Sequence, residues 1–139
     1  MEDIFELVRT TEVVSNEMVI AWTKLFNEDV GVSSILVLSA LQEHGAQKAT
    51  DLALAYGYTK GAITNISTKL VNEGYVVREY DEMDRRIIRL AITEKGEWLL
   101  SKAREAGIEL RQRLFSGLTK EEQQQYTAIQ LKMLKQLKG

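Results

Sequence analysis

Residues 59–96 read TKGAITNISTKLVNEGYVVREYDEMDRRIIRLAITEKG, and a change of hydrophobic period inside this stretch decides the fold. In its first half Ile63, Ile66 and Leu70 recur at three- and four-residue steps, the period of a helix with one buried side. Thr59 has a hydroxyl oxygen to cap the start, and Gly74 tolerates the left-handed conformation that ends helices. From Tyr75 the period becomes two. Tyr75–Tyr80 reads as one β run, and within Arg86–Thr93 the residues Ile88, Leu90 and Ile92 alternate with Ile87, Arg89 and Ala91. The intervening Asp81-Glu82-Met83-Asp84-Arg85 is too polar to bury and is predicted to be a hairpin tip.

Upstream, a short helix is expected with Thr50 as N-cap and Leu52, Ala53 and Leu54 as apolar content, turning at Gly57-Tyr58. Two closely crossing helices need a small residue on the first, a glycine at the turn and a β-branched residue where the second packs back. Ala53, Gly57 and Ile63 supply these at steps of four and six. Before them, Ser33 or Ser34 can cap a helix through Ile35, Leu36, Leu38 and Leu41 that Gly45 closes. A first helix carries the stripe Ile4, Leu7, Val8, Val14, Met18, Trp22, Leu25 and Phe26, and Glu28-Asp29-Val30-Gly31 breaks it. Downstream, Thr93 opens a helix through Trp98, Leu99, Ala103, Leu110 and Leu114 to about Ser116. Thr119-Lys120-Glu121-Glu122 is a capping box that starts a last helix with Tyr126, Ile129, Met133, Leu134 and Leu137. The predicted fold is mainly α with a small β-hairpin wing. A winged helix-turn-helix lobe over 33–93 sits within one domain, 1–139, with outer helices in 1–30 and 100–139.

If Ile63, Ile66 and Leu70 pack inward, Lys60, Gly61, Thr64, Asn65, Thr68 and Lys69 face outward on a polar surface without acid. Thr and Asn can hydrogen-bond base edges, Asn bridging two positions on adenine, while Lys60 and Lys69 can neutralise phosphates. Gly61 and Ala62 let the backbone approach, and the free N–H groups at that helix end favour an anion. A solvated helix face has a similar polarity, so the hairpin matters. Arg85 and Arg86 at the end of a two-stranded ribbon are placed to reach an adjacent minor groove, whose negative potential attracts arginine. Asp81 and Asp84 leave that tip nearly neutral, and their expected role is to orient an arginine by a charge-assisted hydrogen bond.

Residues 59–96 resemble the winged helix-turn-helix core of the MarR/SlyA family of bacterial transcriptional regulators. The tip Asp81-Glu82-Met83-Asp84-Arg85-Arg86 is similar to that family's acidic-arginine wing signature, with Glu82 where many members carry proline. The resemblance implies a homodimer whose first and last two helices interlock. It implies that Thr59, Lys60, Gly61, Ala62, Thr64 and Asn65 enter the major groove of a pseudo-palindromic operator, that Arg86 probes the minor groove, and that Arg85 is the neighbouring candidate. It also implies a small aromatic or amphipathic effector bound between the dimer helices and the DNA-binding lobe, lowering DNA affinity as for a ligand-released repressor. Trp22, Phe26, Trp98 and Tyr126 are aromatic residues on the helices concerned, at a helical spacing that more often marks a core or a dimer interface than a ligand site.

The composition narrows the alternatives. The 139 residues are 45% apolar and 27% charged, with a net charge of −2 and neither cysteine nor proline, as expected of one domain of ordinary size. Without cysteine there are no disulfides, thiolate metal sites or thiol redox sensing. The single histidine, His44, sits beside Glu43 near a helix end, where a cation complements the helix dipole, so neither metal nor cofactor is expected. No apolar run approaches the roughly 18 residues of a membrane span, and Met1-Glu2-Asp3 lacks the basic start of a signal peptide, so a cytoplasmic protein without membrane contact is expected. Ser15 and Ser101 lie on helical patterns with no partner constellation, and no glycine-rich phosphate loop occurs, which argues against an enzyme. Three amphipathic outer helices offer more apolar stripe than a small lobe can cover, which predicts a twofold dimer. Its recognition helices would meet successive major grooves about 34 Å apart. A winged helix used for protein–protein interaction without specific DNA binding is the alternative.

Overall fold

The computed structural model describes residues 2–139; Met1, the first residue of the acidic start, lies outside them. Six helices and two strands follow in the order α1 (Glu2–Phe26), α2 (Val32–His44), α3 (Ala49–Tyr56), α4 (Lys60–Asn72), β1 (Val76–Tyr80), β2 (Ile88–Ile92), α5 (Glu94–Ser116) and α6 (Lys120–Lys138). They form two compact units: Phe26–Glu105, and the chain up to Leu25 together with Ala106–Gly139.

The Phe26–Glu105 unit holds the core. Phe26, Leu38, Leu41, Leu52, Leu70, Leu99 and Leu100 are its largest fully enclosed side chains, joined by Val37, Ile63, Val76 and Leu90. Helices α3 and α4 make the helix-turn-helix. Gly57 between them takes the left-handed conformation at φ 70°, and the next amide, that of Tyr58, donates to the Ala53 carbonyl at 2.9 Å. Leaving α4, the Tyr75 amide donates to Leu70 O at 2.9 Å, and the chain runs directly into β1.

Strands β1 and β2 pair antiparallel, from Val76 opposite Ile92 to Tyr80 opposite Ile88. A third short segment joins them: Gln47 N donates to Leu90 O at 3.0 Å and Leu90 N to Gln47 O at 2.7 Å. The middle of β2 is therefore bonded to the link between α2 and α3. Gly96 in the first turn of α5 lies against β1, where an added Cβ would fall 2.2 Å from the Tyr75 carbonyl oxygen, so only glycine allows this approach.

Local details differ from the sequence reading, each for a visible reason. Helix α2 starts at Val32 with an extended Gly31 as N-cap and no side-chain cap, which leaves Ser33 and Ser34 inside the first turn and Ser34 buried. Helix α3 starts at Ala49, not after Thr50. Gln47 is held on Leu90, and the chain turns helical at once, with Lys48 O accepting from the Asp51 and Leu52 amides. On α4 the third buried position is Ser67, whose hydroxyl donates to Ile63 O at 2.6 Å, whereas Ile66 is only partly covered. The strands are shorter than the alternation suggests, because Arg86 and Ile87 bond to Asp84 in the turn and Thr93 Oγ1 accepts from Gly96 N at the head of α5.

The other unit is built differently. Its part of α1, residues 3–25, has no buried side chain, and neither has α6. Only Ala106, Leu110 and neighbours on α5 are covered. The α5–α6 corner is nevertheless well defined. Thr119 and Glu122 complete the reciprocal capping box, and Gln123 Nε2 donates to Phe115 O at 2.8 Å. The Phe115 and Tyr126 rings meet with centroids 6.3 Å apart.

Candidate nucleic-acid interface

Helix α4 begins where the sequence requires. Thr59 Oγ1 accepts from Ala62 N at 3.1 Å, which satisfies one of the amides that no helical carbonyl can reach. With Ile63, Ser67 and Leu70 turned into the core, Lys60, Gly61, Thr64, Asn65, Thr68 and Lys69 are all exposed, and Ala62 is partly covered. The first turn holds no acid. No atom lies within 4 Å of where a Gly61 Cβ would stand, so the absence of a side chain there serves nothing inside the unit.

Two side chains on this face are already engaged. Thr64 Oγ1 donates to Lys60 O at 2.8 Å, which uses the hydroxyl proton and leaves oxygen lone pairs and the methyl group outward. Lys69 Nζ donates to Asp29 O at 3.0 Å, bracing the end of α4 against the loop before α2. Asn65 and Thr68 stand exposed between them.

The hairpin tip is a turn hydrogen-bonded by its own aspartates. Asp81 Oδ2 accepts from the Met83 and Asp84 amides, both at 3.0 Å, while Asp81 Oδ1 accepts from Arg89 Nη1 at 2.8 Å. Asp84 grips Arg86 three times: its Oδ1 accepts from the Arg86 amide and from Nε at 3.0 Å, and its Oδ2 from Nη2 at 3.1 Å. The Arg86 side chain remains 92% exposed, held by one edge with the other free. Arg85 lies back over the Tyr80 ring, 5.2 Å from its centroid. Hydrogen bonds from Arg89 first, then from the Asp84 and Met83 amides, hold the Asp81 carboxyl below the usual carboxylate range. Those from the Arg86 side chain and amide do the same for Asp84, and Arg86 is raised in return.

The arrangement thus gathers Thr59, Lys60, Gly61, Ala62, Thr64, Asn65, Thr68, Lys69, Arg85 and Arg86 on one unit, on a capped helix and a fixed ribbon. The two wing aspartates hold different arginines. Asp84 orients Arg86, whereas Asp81 takes Arg89, a residue the sequence reading left among the strand alternation. The signal available was the pairing itself, since a turn starting at Asp81 brings the first residues of the returning strand back beside it. Among the other aromatic residues named above, Phe26 is core, and Trp98 is half exposed with Lys102 Nζ 4.9 Å from its ring centre. His44 ends α2 with Glu43 at 3.8 Å.

The chain is similar in sequence and fold to known transcriptional regulators. The MarR family model matches residues 32–88, from the start of α2 to the far side of the wing. The chain is 26% identical to the HTH-type transcriptional repressor MdtR of Bacillus subtilis over 76% of its length and 68% of that protein. It is 30% identical to an HTH-type transcriptional regulator of Bacillus cereus over 85% of its length and 76% of that regulator. The crystal structure of YusO from Bacillus subtilis superposes with a TM-score of 0.77 at 26% identity, covering 97% of this chain and 94% of YusO. With the helix-turn-helix, the wing and these relatives together, the chain belongs to the MarR family, whose members are DNA-binding transcriptional regulators rather than enzymes.

Proposed function

We propose that the chain acts as a homodimeric, sequence-specific repressor of transcription, with α4 in the major groove and residues 80–87 in the adjacent minor groove of a pseudo-palindromic operator. The observation that carries this reading is the exposed, acid-free face of α4 on the same unit as a ribbon tip that presents Arg86 by one edge. Thr64 and Asn65 read base edges, Lys60 and the amides at the start of α4 take phosphate, and Arg86 works at the minor-groove wall.

A second copy of the chain is the partner that the outer helices fit. They expose Ile4, Phe5, Leu7 and Val8 on α1 and Ile129, Leu131, Met133 and Leu134 on α6, large apolar side chains that a partner surface would take out of water. Their charges suit pairing between copies, with Asp3, Glu6, Glu12 and Glu17 along α1 and Lys132, Lys135 and Lys138 at the end of α6. Release by a small aromatic or amphipathic ligand is the mode of regulation that family membership favours, and it requires the ligand to bind one spacing of the two recognition helices more tightly than the other.

The test is a titration of the full chain with duplexes selected from a random double-stranded pool, at two salt concentrations. Specific duplexes should bind, with an affinity that falls steeply as salt rises through counterion release. Thr64→Ala or Asn65→Ala should change base preference, while Lys60→Ala should weaken all duplexes alike and lower the salt slope by about one. Absence of sequence-dependent binding at low salt would instead make the lobe a protein-interaction module.

A further inference from the structure

We propose that Met83 is a further contact of the wing beside Arg86: an apolar probe that enters the minor groove and selects for a base step that unstacks easily. This rests on the reading that the wing meets DNA. Met83 is 95% exposed, the most exposed large apolar side chain among the described residues, and it sits at the tip of the ribbon. A lone exposed methionine on a loose loop would carry no meaning, but this turn is fixed from both sides. The Met83 amide is held by Asp81 at 3.0 Å, the Asp81 amide donates to Ile87 O at 3.0 Å, and the Ile87 amide donates to Asp84 O at 3.0 Å. The side chain is therefore presented on a backbone that is ordered before binding, so little further entropy is lost there.

The charges around it are balanced. Arg85 is drawn back onto Tyr80, Arg86 has two of its N–H groups on Asp84, and Arg89 is on Asp81. Residues 81–89 hold Asp81, Glu82 and Asp84 against Arg85, Arg86 and Arg89, so the tip carries no net charge. A narrow groove selects for inserted positive charge; that potential favours the free edge of Arg86 and does nothing for the uncharged thioether of Met83. Methionine is unbranched and polarisable and adapts to irregular surfaces, and it is among the side chains that wedge between base steps in the minor groove. Pyrimidine–purine steps unstack at the lowest cost, so the position under the wing should prefer TA or CA over a stiff A-tract.

The experiment uses the full chain and a duplex selected as above, with 2-aminopurine placed beside the step under the wing. Wild type should raise the 2-aminopurine fluorescence on binding. Met83→Ala should abolish that rise and weaken binding roughly ten-fold while leaving the salt slope unchanged, since no phosphate contact is lost. Met83→Leu should keep both, and Met83→Arg should steepen the salt slope and shift preference towards A-tracts. The site is fully solvated, so none of these changes threatens folding. Unchanged affinity and fluorescence in Met83→Ala, with Arg86→Ala still impaired, would overturn this role and leave the DNA-binding reading standing. Loss of specific binding by wild type itself would remove both.

Discussion

The Phe26–Glu105 unit and the outer helices have similar raw material and opposite outcomes. In the former, leucines and valines meet each other across α2, α3, α4, the ribbon and α5, and the largest of them are fully enclosed. In the latter, side chains just as apolar line α1 and α6 with no buried position on α6 at all. Helix α6 forms regardless, through its capping box, its acids in the first turn and its lysines in the last. The difference teaches that local signals mark where a helix begins and ends, whereas packing supplies most of its stability.

The sharpest way to break this contrast is to truncate one side chain of each kind. Leu52→Ala should cost about 2 to 5 kcal/mol in chemical denaturation, because it opens a cavity in a closed core. Ile129→Glu should leave the enclosed core of the Phe26–Glu105 unit intact and should dissociate the proposed dimer in analytical ultracentrifugation. Equal effects on folding from both would erase the distinction.

Next in size is Arg86→Ala, expected to weaken operator binding by about 1 to 3 kcal/mol with the sedimentation of the protein unchanged. It places function on the packed lobe, away from the outer helices. Gly61→Ala separates stability from recognition within one helix. It should stabilise folding by less than about 1 kcal/mol of helix propensity, seen as a higher melting temperature, and still weaken DNA binding if backbone and duplex approach there.

The smallest effect is the wing's response to acid. Asp81 and Asp84 have carboxyls held below their ordinary range, so their contribution is complete above the unfolded value near 4 and disappears as pH falls through the lower folded value. Amide exchange at Met83, Asp84 and Arg86 should therefore show constant protection, once corrected for intrinsic rate, between pH 5 and 8, with loss only in stronger acid. A change of protection near pH 6 would contradict this assignment.

Much of this was legible in the chain. The switch from a period of three to four to a period of two between Leu70 and Val76 marks the end of α4 and the start of the ribbon, because each element buries one side only. Thr59 and Thr119 announce their helices through the oxygen they offer. The starts of α2 and α3 were not legible. Gly31 caps through backbone alone, and the start of α3 depends on Gln47 bonding to Leu90, forty-three residues away. At the tip, the acids announced a clasp for arginine, but which acid takes which arginine is set by the turn's hydrogen bonds, and these put Arg89 on Asp81. The engagement of Lys69 with Asp29 likewise depends on a loop that no periodicity describes.

The twin amide links between Gln47 and Leu90 leave the finger free to diversify. With the middle of β2 stitched into the body, the span from Tyr80 to Ile88 can be lengthened, shortened or exchanged without loosening what lies beneath. On the proposed DNA-binding reading, new operator preferences can then be grafted at the wing tip, whereas an insertion at residues 46–48 would unseat helix and ribbon together.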